Sequence, residues 1–156
     1  MKRLFLILLS FCFVSCVFRP VHDKNIFYDY NQDVEFRLLG MNKKRTIDKD
    51  HGRYTEIAKK GRRFISIVFE FKNNSSKIQI IDFEKFFIRD QNSALHKVDG
   101  VVMAKKFTST NKRFQQKLKP NKTRTIFVQF IPSFDKNEKI KTLIIDDEVF
   151  ELKLNE

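Results

Sequence analysis

The stretch Arg62-Arg-Phe-Ile-Ser-Ile-Val-Phe-Glu-Phe-Lys72 leaves this chain few ways to fold. Along an extended backbone Ile65, Ile67, Phe69 and Phe71 share one side, and Phe64, Ser66, Val68 and Glu70 share the other. A period of two, written in β-branched and aromatic residues, specifies a strand with one wholly apolar face. Asn73-Asn-Ser-Ser76 then supplies a turn.

The same signature recurs along the chain. Val34, Phe36 and Leu38 alternate with Glu35 and Arg37 over 33–39, and Gly40 ends that run. Ile126, Val128 and Phe130 share one face of a strand over 123–131. Thr46-Ile47 and 54–58 read as short strands, as do 78–81 and 83–89, with Phe86 and Ile88 inward. Residues 94–98 form another, closing at Asp99-Gly100, and 101–107 suit a strand as well. Segments 139–145 and 148–154 read as a hairpin with Asp146-Asp147 at its tip, where short carboxylates tolerate turn geometry. Between 108 and 119 the pattern weakens, and Phe114 and Leu118 stand four apart, the spacing of a helical turn. Seven to nine short strands with turns at regular intervals, and no long helical period, predict an all-β antiparallel sandwich over 33–156.

Ahead of that domain lies Met1-Lys-Arg-Leu-Phe-Leu-Ile-Leu-Leu-Ser-Phe-Cys-Phe-Val-Ser-Cys16. Lys2 and Arg3 precede an apolar run from Leu4 to Val14, and the small Ser15 follows it. That order is a secretory signal, and the run falls short of the ~20 apolar residues of a membrane span. The stretch Phe13-Val-Ser-Cys16 resembles the lipobox of bacterial lipoproteins, in the relaxed form typical of spirochaetes, with Phe13 where the family usually carries Leu. The resemblance implies cleavage between Ser15 and Cys16, and a diacylglycerol on the Cys16 thiol. The cysteine count agrees. Cys12 would leave with the signal, so Cys16 would be the only thiol of the mature chain, and no internal disulfide could form. Each buried acyl CH₂ contributes ~0.8 kcal/mol, so two or three chains would hold the protein to a bilayer permanently. The expected order is a signal over 1–15, a lipidated terminus and tether over 16–32, and then the sandwich. Phe27, Tyr28 and Tyr30 in the tether have two readings: docking on the domain, or lying at the membrane interface, where amphipathic rings are favoured.

From Gly61 to Leu154 the pattern also resembles the immunoglobulin-like domain of many small bacterial lipoproteins of unassigned activity. Three pieces carry the likeness. They are the strand and Asn-rich turn of 63–75, the strand and polar turn of Phe83-Glu-Lys-Phe-Phe-Ile-Arg-Asp-Gln-Asn92, and the Pro-led turn and inner strand of 118–130. The resemblance implies an immunoglobulin-like sandwich and supplies no catalytic residues.

Formal charge is +12, and loss of Lys2 and Arg3 leaves +10 on the mature chain. Such a balance favours anionic partners. Basic groups recur at 43–45 and 117–124, and the candidate patch comprises Lys59, Lys60, Arg62, Arg63, Lys105, Lys106, Lys112 and Arg113. Phe107 and Phe114 lie among these cations, a juxtaposition that single-stranded nucleic acid exploits by stacking. The plainer reading, solvated outer faces with both rings in the core, is preferred. An exported protein seldom meets nucleic acid, so an anionic lipid, a glycan or a protein is the expected partner.

Catalytic signals are weak. His22, His51 and His96 stand far apart, and a zinc site needs three or four convergent ligands. No Gly-x-Ser-x-Gly occurs, and the carboxylate pairs Glu70/Glu84 and Asp146/Asp147 are of a kind common on strands and turns. No catalytic residue, metal or cofactor is assigned. The sequence therefore predicts a lipid-anchored protein of the bacterial cell envelope, at the outer membrane, the cell surface or the periplasmic face, acting as a non-catalytic binding or structural module. The alternatives are an envelope enzyme or its accessory subunit, and a periplasmic protein without lipid.

Overall fold

A computed structural model describes residues 25–49, 53–103 and 114–152. Twelve strands form: β1 Tyr28–Asn31, β2 Val34–Lys44, β3 Thr46–Lys49, β4 Tyr54–Ile57, β5 Arg62–Asn73, β6 Gln79–Asp82, β7 Phe86–Arg89, β8 Leu95–Met103, β9 Gln115–Leu118, β10 Thr123–Asp135, β11 Thr142–Ile145 and β12 Glu148–Glu151. Eight make one antiparallel sheet in the order β1-β2-β5-β10-β8-β7-β11-β12. The alternation of β5 sets the inner face, with Ile65, Ile67, Phe69 and Phe71 fully buried. Val34, Phe36 and Leu38 of β2 and Ile126, Val128 and Phe130 of β10 continue that face on either side.

The sheet curls until β7, β11 and β12 lie across the core from β1, β2 and β5. Phe86 of β7 meets Phe69 and Phe71 of β5 with ring centroids 5.8 and 6.2 Å apart. Phe150 of β12 reaches Phe36 at 5.4 Å and Tyr28 at 5.5 Å, so the two edge strands approach each other. The expected sandwich is therefore present, with both layers cut from one continuous sheet. Two two-stranded sheets complete it. The β6–β9 pair places Ile81 and Leu118 in the main core. The β3–β4 pair lies on the outer face, where Ile47 and Ala58 bury Phe64.

Five details differ from the sequence reading. Gly40 does not end the run over 33–39: β2 continues through it to Lys44, with a register shift between Leu38 and Gly40. The segment read as tether over 16–32 contains β1, which pairs with β2. Of its aromatics, Tyr28 stacks on Phe36 at 5.3 Å and the Tyr30 hydroxyl accepts a hydrogen bond from the Asp82 amide at 3.1 Å, so both dock on the domain. The spacing of Phe114 and Leu118 is not helical, because Gln115–Leu118 pairs with β6 as strand β9. Residues 83–89 divide into a 3₁₀ turn, Phe83–Lys85, capped by the Asp82 carboxylate, and strand β7. Finally, β8 does not close at Asp99. It runs on to Met103, with Asp99 as an extra residue between the pairs Phe130–Val98 and Gln129–Gly100.

Candidate functional site

Three long strands run past the core at one end of the sandwich and carry basic residues with them. β2 ends at Lys44, β5 begins at Arg62 and β10 ends at Asp135, and the register pairs Lys44 with Phe64 and Arg62 with Asp135. The turn of 58–61 is fixed to the same end, since Ala58 donates its amide to the Arg45 carbonyl at 2.8 Å and Arg62 donates to that of Lys59 at 2.9 Å. Gly61 completes that turn at φ 82, a conformation L side chains rarely adopt, although space around it is open. Lys136 donates its amide to the Gly61 carbonyl at 2.8 Å. One pole of the molecule thus gathers Lys43, Lys44, Arg45, Lys59, Lys60, Arg62, Arg63 and Lys136.

These cations divide by what they touch. The half-buried Arg62 donates to the Ser133 carbonyl and, at 3.2 Å, to the Ser133 hydroxyl, so it braces β10. Arg63 donates to the Arg62 carbonyl at 2.7 Å. Lys43 donates to the Glu138 carbonyl. Desolvation there lowers the Lys43 pKa, offset in part by the charges of Glu138 and Asp135. Lys44, Arg45, Lys59, Lys60 and Lys136 are exposed. The nearby acid Glu138 is buried and accepts the Gln91 amide at 2.7 Å. The exposed cations outnumber the exposed carboxylate of Asp135 at the end of β10, so the outer surface of the pole is net positive.

Of the residues singled out from sequence, Lys59, Lys60, Arg62 and Arg63 come together here. Lys105, Lys106, Lys112 and Arg113 lie outside the described residues, as do Ser15 and Cys16. Lys136 and the 43–45 run join the site through strand register, which no local pattern reveals. The 117–124 run goes to the opposite end, beside Lys77 and the buried Asn73, so the basic residues form more than one surface.

A cleft of about 260 Å³ opens between the edge strands, lined by Asp29, Tyr30 and Asn31 of β1, Ile80 of β6, and Ile145, Asp146, Glu148 and Phe150 of the β11–β12 hairpin. Burial raises the Tyr30 pKa. Lys85 pairs with Asp146 at 2.6 Å. Among the described residues no group of three or more His, Cys, Asp and Glu converges as a metal site, and no helix is long and apolar enough to cross a membrane.

Comparison with known proteins yields no matching family model and no matching curated protein. Two solved structures are similar. A conserved hypothetical protein from Bacillus anthracis superposes with a TM-score of 0.58 at 12% identity, over 86% of this chain and 95% of that one. An uncharacterized beta-sandwich protein from Clostridium difficile 630 gives 0.52 at 10% identity, over 82% and 90%. The likeness is one of fold. Over most of both chains the β-sandwich is shared, and at such identity nothing of activity transfers.

Proposed function

We propose that this chain is a lipid-anchored protein of the bacterial cell envelope, whose sandwich is a non-catalytic module that engages an anionic or protein partner through its basic pole. The observation that carries the reading is the pole itself: exposed lysines from three separate stretches of chain meet on one surface, and the neighbouring acid Glu138 is turned inward. A positive surface of this kind concentrates negatively charged partners. The anchor rests on the signal-like start and on Cys16.

The test is metabolic labelling of the expressed protein with a fatty acid, with Cys16→Ala as control. The native chain is expected to take up label, and the variant to take up none. Equal labelling of both chains would remove Cys16 as the anchor.

A further inference from the structure

From the direction in which the chain enters the domain, together with the basic pole, we infer that the pole docks on anionic phospholipid of the same bilayer that holds the anchor. The inference rests on the proposed acylation of Cys16. In β1, Tyr28 lies opposite Phe36 and Asn31 opposite Val34, so residues before Tyr28 lead toward the Lys44 end of β2. Phe27 confirms the direction, because the Arg37 guanidinium sits 5.1 Å from its ring centroid.

Chain length permits the contact. From the level of Arg37 to Lys44 is seven strand residues, roughly 24 Å at ~3.4 Å each. From Phe27 back to Cys16 is eleven residues, which span at most ~36–40 Å when extended. A segment of this length is long enough to extend past the pole, and the described residues that enter β1 point that way.

The pole has the chemistry of a bilayer-facing surface. Lys44, Arg45, Lys59, Lys60 and Lys136 are exposed, and Ile57, 62% exposed, directly precedes the Ala58-Lys59-Lys60 turn. Basic side chains around an exposed apolar one suit a headgroup region, where charge attracts and the apolar group inserts. Each Lys near an anionic surface contributes about fivefold in affinity, which is ~1 kcal/mol.

The experiment uses the mature chain from position 16 as Cys16→Ala, so that binding cannot come from acylation. Co-sedimentation is measured with phosphatidylcholine vesicles and with vesicles that also contain phosphatidylglycerol. Binding is expected only to the second, falling as salt is added. Replacing Lys59, Lys60 and Lys136 together by Gln is expected to weaken it by about a hundredfold. Replacing Lys117, Lys119 and Lys122 at the opposite end by Gln should weaken it less than tenfold, and circular dichroism checks that both triple variants stay folded. Equal loss in the two variants, binding that ignores phosphatidylglycerol, or capture by a sulfated glycan without capture by these vesicles would each overturn the docking. Fatty-acid labelling of the native chain reports separately on the anchor. A labelled protein whose unacylated form ignores anionic vesicles overturns the docking alone, and an unlabelled one overturns the anchor.

Discussion

His96 and Asp90 show what a single side chain does here that spacing does not reveal. His96 is buried, its ring 3.9 Å from that of Phe134, and its Nε2 lies 2.9 Å from Asp90 Oδ2. With the carboxylate as acceptor, Nε2 carries the proton. The other carboxylate oxygen accepts the amides of Asn92 and Ala94, both at 2.9 Å, so Asp90 closes the β7–β8 turn and ties the first residues of β8 to it. The His96 hydrogen bond above all, with the two amides, holds the Asp90 pKa below its ordinary value. A carboxylate whose folded pKa is depressed stabilises the fold fully above its unfolded pKa of about 3.9, and that contribution fades as pH falls from there through the folded value. The margin in melting temperature of the native chain over Asp90→Asn is therefore expected to be full at about pH 5 and to shrink toward about pH 3. Thermal melts by circular dichroism across that window check this, and parallel curves would mean that the ionised form contributes nothing.

Among the elements, the β11–β12 hairpin is the one whose turn chemistry the sequence states outright. Asp146 and Asp147 occupy its two central positions with φ 51 and 70, the double positive φ of a type I′ turn. Such a turn favours Gly at its second position, and a non-Gly residue in the left-handed region carries roughly 1–2 kcal/mol of strain. Asp147→Gly is expected to stabilise the protein by about 0.5–1 kcal/mol, a rise of ~1–4 °C in melting temperature for a chain of this size. A fall would show that the Asp147 side chain outweighs its backbone strain. The long alternating strands were equally legible: β2, β5 and β10 bury the residues that period two selects. Short elements were not. β1 offers only Tyr28 and Tyr30 between Asp29 and Asn31, too little to stand out from a tether. β9 hides its period because one of its two inward residues is the buried Gln116. Asn73 read as turn punctuation, yet it is buried and its amide donates to the Lys77 carbonyl at 2.7 Å and to the Leu118 and Lys119 carbonyls at 3.2 Å. The basic site divides in the same way. Its 59–63 portion is one turn and could be read locally, whereas Lys44 and Lys136 arrive only through the pairing of β5 with β2 and β10.

At the scale of the molecule, the two layers are joined by aromatic rings. No cysteine lies among the described residues, so burial and hydrogen bonding hold the layers together there. Phe71 stands at the centre of that contact. Its ring lies 5.7 Å from Phe36 and 5.8 Å from Phe69 on its own layer, 6.1 Å from Tyr30 of β1, and 5.7 and 6.2 Å from Phe83 and Phe86 on the other side. The edge-on and tilted arrangements are those that ring quadrupoles favour, and they add to the burial of area. Truncating such a ring removes its transfer energy and leaves a cavity that a packed sheet cannot collapse around, so Phe71→Ala is expected to cost about 3–5 kcal/mol. Domains of this kind hold only about 5–15 kcal/mol in total, so the variant should sit near the edge of unfolding. Phe87, half-buried on the outer side of β7, makes the comparison. Its replacement by Ala opens no enclosed cavity and should cost less than half as much. Urea titrations that give equal midpoint losses for the two variants would mean that the ring lattice is not what joins the layers. A large loss confined to Phe71→Ala, with the urea dependence unchanged, would mean that it is.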